Sequence, residues 1–179
     1  DLSLKHQEWL VKNFKNVETY TVNLDQLFEK FENSLSRFDS ELGMSNSRAR
    51  LRMTTLYQVA ASNKGIVVGT GNKVEDFGVG FYTKYGDGGV DISPIADCNK
   101  TEVWEIGREL NILKEIIDAT PTDGLWDDGR TDEGQLGLKY EELEEAMNNP
   151  NSPNREKYEK IRKVNLHKMK PIPVCKIPN

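Results

Sequence analysis

No apolar run in the sequence approaches the length of a membrane span, which excludes a chain that crosses a bilayer as a helix. The first 14 residues carry charges throughout, so no signal peptide is expected there. Positive charge is also in deficit. The net charge of −5 argues against nucleic acid or an anionic membrane as the partner of the whole surface. Any phosphate site must be made locally, from Lys, Arg, backbone N–H groups or a metal. Cysteine is scarce: Cys98 and Cys175 stand far apart without a metal-ligand spacing, and two reduced thiols are expected. No internal repeat is present. What remains, 36% apolar and 30% charged residues over 179 positions, is the composition of one globular domain large enough to bury a core.

The chain alternates between helical and extended patterns. His6, Leu10 and Phe14 share one helical face, with His6 read as a packed side chain. Residues 17–24 alternate and read as a strand. Leu24, Phe28, Phe31 and Leu35 form a helical stripe, and a polar loop follows. Ala49, Met53, Leu56 and Ala60 mark the buried face of the next helix, with Arg48, Arg50 and Arg52 interleaved and Gly65 as its stop. The apolar triplet Ile66, Val67, Val68 has the character of a buried parallel strand. Residues 69–97 are glycine-rich and irregular. Asn99 and Glu102 have the spacing of a capping box. Residues 120–137 read as a long loop, and loops of that length are usually functional or disordered. Two helices follow, one with Tyr140, Leu143 and Met147, one capped by Ser152 and running to about His167; the proline-rich tail is irregular. Strands alternating with helices predict an α/β fold with a parallel sheet and flanking helices. Ligands in such sheets lie at the C-terminal ends of strands, which directs attention to the segment after Val68.

Five stretches from there onward carry candidate chemistry. Gly69-Thr70-Gly71 leaves the apolar triplet and lets backbone approach a ligand, though an ordinary strand-to-loop turn fits equally. Lys84-Tyr85-Gly86-Asp87-Gly88-Gly89 places an Asp inside a glycine tip costlier than a plain hairpin turn needs. Lys100 sits in the first turn of its helix, the unfavourable end for a cation unless an anion lies in front of both; a solvated Lys that tolerates the position is the alternative. Asp127, Asp128, Asp132 and Glu133 are hard donors for a metal without EF-hand spacing, and a solvated acidic loop is the better reading of them. His167 and Lys168 suit the negative C-terminus of the last helix.

Taken together these segments resemble the NAD synthetase family. The resemblance runs from about Arg48 to Lys168. It rests on Ser47-Arg48-Ala49-Arg50, Val67-Val68-Gly69-Thr70-Gly71-Asn72-Lys73-Val74-Glu75, Thr83-Lys84-Tyr85-Gly86-Asp87-Gly88-Gly89-Val90-Asp91, Pro94, Lys100 and Pro121-Thr122-Asp123-Gly124-Leu125-Trp126. It implies an adenine nucleotide alpha hydrolase-like, Rossmann-like fold over one domain, 1–179. The implied activity is ATP-dependent amidation of deamido-NAD through an acyl-adenylate, with ammonia as donor and AMP and pyrophosphate as products. By motif, Arg50, Lys84, Asp91, His167 and Lys168 fall at deamido-NAD contacts, and Thr70, Lys100 and Thr122 at ATP contacts. Glu75 falls at a Mg²⁺-ligand position, and Asp87 and Lys84 at the reacting centre, where Asp87 is expected to help place ammonia or the adenylate. Residues 117–140 correspond to a lid. A cytoplasmic homodimer is the family's usual form.

The sequence departs from the family pattern in one respect. The phosphate-gripping loop S-G-G-x-D-S, whose Asp is the other metal ligand, is nowhere in it, nor are the first strand and helix. Little activity is therefore expected of these 179 residues alone. The competing readings are a non-catalytic dinucleotide-binding module and a different amidating ATP pyrophosphatase. Glu75 and Lys100 argue against the first, and the set Arg50, Lys84 and Asp91 against the second.

Overall fold

The computed structural model describes residues 1–126 and 128–177, and these form eight α-helices and one π-helix. In chain order the helices are α1 (Leu2–Asn13), α2 (Asp25–Ser34), α3 (Glu41–Ser62), the π-helix (Lys73–Val79), α4 (Lys100–Glu109), α5 (Lys114–Ile117), α6 (Asp132–Leu136), α7 (Tyr140–Asn148) and α8 (Arg155–Met169). The core lies where α7 and α8 pack on the π-helix. Val74, Val79, Tyr140 and Leu143 are completely buried there, with Leu136, Leu138 and Tyr158 around them. Full burial of a side chain such as Leu143 or Val79 contributes about 1.5–3 kcal/mol.

The expected parallel sheet is not formed. The described residues contain no strand, only one isolated parallel bridge between Val68 and Ile92. The Val67 carbonyl accepts from the Asp91 amide at 3.0 Å, and the Gly69 amide donates to Ile92 at 2.7 Å. The reason is a lack of neighbours. A parallel strand is stable when covered on both faces and paired on both edges, yet Ile66 is 59% and Val68 54% exposed, and only Val67 is buried. Residues 17–24, also expected as strand, form no strand, and Tyr20 and Val22 lie exposed. Their alternation has no surface to pack against.

The helical readings fare better. α1 forms with His6 stacked on Trp9 at 5.6 Å. α3 buries Ala49 and Met53 but leaves Leu56 52% exposed. Glu102 accepts from the Asn99 amide at 2.7 Å at the start of α4, as the capping-box spacing predicts. The long loop is shorter than read: Thr131 caps α6, its hydroxyl accepting from Gly134 at 3.0 Å. Asp127, one of the acidic-loop candidates, lies outside the described residues, as do positions 178 and 179 of the tail.

The accessible surface is 12689 Å², whereas a compact monomer of this mass exposes about 8,800 Å². Part of the excess is apolar: Leu27, Phe38, Leu42, Ile66, Val68 and Ile92 are all about half exposed or more. No helix among the described residues is long and apolar enough to cross a membrane.

Candidate active site

The π-helix is the hub of the site. Asn72 starts it, its Oδ1 accepting from the amides of Val74 (3.1 Å) and Glu75 (3.0 Å). The adjacent acids Glu75 and Asp76 of this helix meet different surroundings. π-Helical turns are frequent at functional sites.

Glu75 faces α4 and α7. Its Oε1 takes the Lys100 ammonium at 2.9 Å and the Tyr140 hydroxyl, and Oε2 takes the Asn72 amide. Lys100 lies 4.9 Å above the Tyr140 ring, and Trp104 meets that ring edge-on at 5.7 Å. Asp132 of α6 closes this side, Oδ2 lying 3.3 Å from the Tyr140 hydroxyl. Burial, and then the charge of Glu75, pushes the Asp132 carboxyl up to about 6. The same two causes raise the Tyr140 phenol.

Asp76 faces the glycine tip. Its carboxylate is pressed so closely on Gly71 that a Cβ there would lie 2.0 Å from Oδ2. Burial, then Asp87 and Glu75, raise it to about 7. Asp87 is exposed at the tip, but Oδ1 folds back to accept from the Thr83 amide at 3.0 Å. Desolvation raises its pKa, and the hydrogen bonds and Lys168 oppose that rise. Lys168 donates to the carbonyls of Gly80 (2.9 Å) and Tyr82 (2.8 Å). Its pKa is lowered by burial, against the pull of Asp87 and Asp76.

Two cavities meet at Asp87 and Asp123. One, of about 320 Å³, is lined by Thr70, Gly69, Arg52 and Val90 besides those acids. The other, of about 120 Å³, adds Thr83, Asn46, Trp126 and Lys168. The 121–126 segment roofs both. Arg48 donates to the Leu125 carbonyl at 2.8 Å and Arg52 to that of Gly124 at 3.0 Å, while Asp123 accepts from the Trp126 indole and from Gln135.

The sequence-derived residues thus fall into three groups. Thr70, Asp87 and Lys168 border the two cavities. Glu75 and Lys100 form an ion pair and line neither cavity. Arg50, Lys84 and Asp91 line neither cavity: Arg50 donates to the Lys84 carbonyl at 3.1 Å and Lys84 to that of His167 at 3.0 Å, while Asp91, apart from these, accepts from Tyr57 at 3.2 Å and from the Val67 amide at 2.7 Å. Tyr57 lines an open depression of about 560 Å³ with Tyr85. His167 is exposed, and so is Thr122.

As a metal site the arrangement is partial. No three acidic, cysteine or histidine side chains among the described residues converge to hold an ion. Glu75 and Asp132 supply hard oxygens, which fits Mg²⁺ brought in on phosphates, since that ion keeps waters and needs only one or two carboxylates. Sequence reasoning missed Asp76 and Tyr140 as site residues. Asn72-x-x-Glu75 repeats the spacing that identified Asn99-x-x-Glu102, and that signal was available for the hub.

Two carboxylates around the cavities, with Lys168 on the border of one and Arg48 and Arg52 holding the roof, can meet an anionic ligand and its cation. The comparisons are specific. The NAD synthase family model matches residues 1–177, and the chain belongs to that family. The NH(3)-dependent NAD(+) synthetase of Carboxydothermus hydrogenoformans is 42% identical over 142 residues, 77% of this chain and 58% of that protein. That of Alkaliphilus oremlandii is 50% identical over 103 residues, 58% of this chain and 40% of its own length. The chain spans about half the length of the curated relatives it matches. The NMN synthetase of Francisella tularensis superposes with a TM-score of 0.85 at 33% identity, over 99% of this chain and 71% of that one. The NH3-dependent NAD synthetase of Campylobacter jejuni, at 23% identity and a TM-score of 0.68 over 90% of this chain and 67% of that one, shares the fold.

Proposed function

We propose that the chain carries out, as one domain of an ammonia-dependent NAD synthetase, the ATP-driven amidation of deamido-NAD. The carrying observation is that Thr70, Asp87 and Asp123, from three separate motif segments, line one cavity. The nicotinate carboxylate attacks the α-phosphorus of ATP and pyrophosphate leaves. Ammonia then attacks the acyl carbon, AMP leaves, and a proton is lost. Neither step needs a covalent protein nucleophile; both need anions aligned and charge balanced.

In this reading Thr70, Lys100 and Thr122 hold ATP, and Arg50, Lys84, Asp91, His167 and Lys168 hold the dinucleotide. Glu75 supplies an oxygen to the Mg²⁺ that accompanies the phosphates, and that ion offsets the triphosphate charge. Asp87, with Lys84 nearby, places ammonia against the adenylate. The large apolar exposure supports a dimer or a further segment as cover, and the cytoplasm is the natural compartment for these substrates.

A second substrate is favoured by one observation. The NMN synthetase likeness extends over 99% of this chain, including α1 and α2. Nicotinate mononucleotide is then the carboxylate amidated. Comparing kcat/KM for the two acids separates the readings: a preference of more than tenfold for deamido-NAD supports the first, and the reverse supports the second.

A further inference from the structure

The last carbonyls of a helix have no partner within it and must find donors elsewhere. At the C-terminal end of the π-helix those donors are side chains of α8. Arg162 donates to the carbonyls of Phe77 and Gly78, Asn165 to that of Val79 at 3.0 Å, and Lys168 to that of Gly80 at 2.9 Å. The Tyr158 hydroxyl reaches the Gly78 carbonyl at 3.3 Å. These four side chains are spaced three or four residues apart, so they share one face of α8. The contact is close: Gly80 has a φ of 69°, and a Cβ there would lie 2.6 Å from that of Asn165.

The segment gripped in this way is tied to Glu75. The Gly80 and Phe81 amides both donate to the Glu75 carbonyl, the second at 2.8 Å. On the other side, Asn72 Oδ1 accepts from the Glu75 amide at 3.0 Å. The backbone of Glu75 is therefore anchored twice, once by Asn72 and once by the segment that α8 holds.

We propose that Arg162 and Asn165 are positioning residues for Glu75. They line neither cavity and act through the backbone. By holding the end of the π-helix they fix the origin from which the Glu75 side chain reaches a nucleotide-bound divalent cation. The inference rests on reading Glu75 as a cation ligand.

The test is Mn²⁺ binding in the presence of ATP, followed by electron paramagnetic resonance, together with amide hydrogen exchange of the metal-free protein. Asn165→Asp keeps the size of the side chain but sets an oxygen in place of the donor to Val79. Arg162→Ala removes the donor to Phe77 and Gly78. Each should weaken Mn²⁺ binding about tenfold and speed exchange of the Gly80 and Phe81 amides at least about tenfold. ATP affinity with chelator should stay unchanged in both, and Arg162→Lys should retain part of the affinity that Arg162→Ala loses. Unchanged Mn²⁺ affinity in both variants, or ATP affinity falling as far as Mn²⁺ affinity, would overturn the positioning role, the second result marking general damage to the fold. Glu75→Gln separates the two ideas: if it leaves Mn²⁺ binding intact, the reading of Glu75 fails and the inference with it.

Discussion

Lys100 Nζ lies 2.9 Å from Glu75 Oε1, with the two side chains only 18% and 16% exposed. This contact explains how a cation is tolerated in the first turn of α4, where the helix dipole opposes it. The anion that the position calls for is a side chain of the same protein.

Removing the lysine should therefore strand a carboxylate. Lys100→Ala is expected to lower stability by about 1–3 kcal/mol, because Glu75 stays half-buried with only neutral donors. Adding Glu75→Gln should recover part of that loss. Urea unfolding of the single and double variants measures both effects; a loss that Glu75→Gln fails to relieve would mean that Lys100 acts through packing alone.

Gly71 is required by what lies against it. A Cβ at this position would sit 2.0 Å from Asp76 Oδ2, so Gly71→Ala must displace that carboxylate. Overpacking of this kind costs roughly 1–3 kcal/mol. Asp76→Ala in the same chain makes room and should restore most of the melting temperature. If the double variant is no more stable than Gly71→Ala alone, the clash is not the cause.

The Asp76 carboxyl, raised from its usual 3.8 to about 7 by burial and by Asp87 and Glu75, against the pull of Lys168, has a consequence for stability. Between about pH 4 and 7 the folded state keeps a proton that the unfolded state has released. Stability from this group therefore falls as pH rises through that window and stays low above it. Asp76→Asn should flatten the profile and gain on the order of 1–2 kcal/mol at pH 8, once solvent screening is allowed for. Unfolding curves at pH 5 and pH 8 give the slope directly. An unchanged slope would show that Asp76 ionises normally.

Asp87 should matter to chemistry more than to nucleotide affinity. Asp87→Ala is expected to reduce turnover at least about tenfold with little change in the KM for ATP, the pattern of an interaction made during reaction. Undiminished turnover would remove Asp87 from the reaction.

The sequence made the helices legible because their signals are local. The spacing of Asn99 and Glu102 and the stripe of Ala49 and Met53 are each set within a few residues, whereas α6 fell inside what read as a loop. The sheet was misread because the apolar triplet at 66–68 describes what a strand needs, not whether neighbours supply it. Of those three residues only Val67 found cover. Of the motif residues, Thr70 and Asp87 share a cavity and Glu75 pairs with Lys100. The site was not legible at Tyr140, whose hydroxyl meets Glu75, 65 positions away, or at Asp76, whose surroundings include Asp87 and Lys168 from other segments.

The most direct test is formation of NAD and AMP from deamido-NAD, ATP, Mg²⁺ and ammonium. It is run with the polypeptide of this sequence and with the same polypeptide joined to the unmatched part of the Carboxydothermus hydrogenoformans relative. Equal amounts of NAD and AMP from the joined polypeptide, reduced at least about tenfold by Asp87→Ala, are the predicted result. Absence of both products from both polypeptides, with the dinucleotide bound unchanged, would contradict the enzyme reading and leave a binding module in its place.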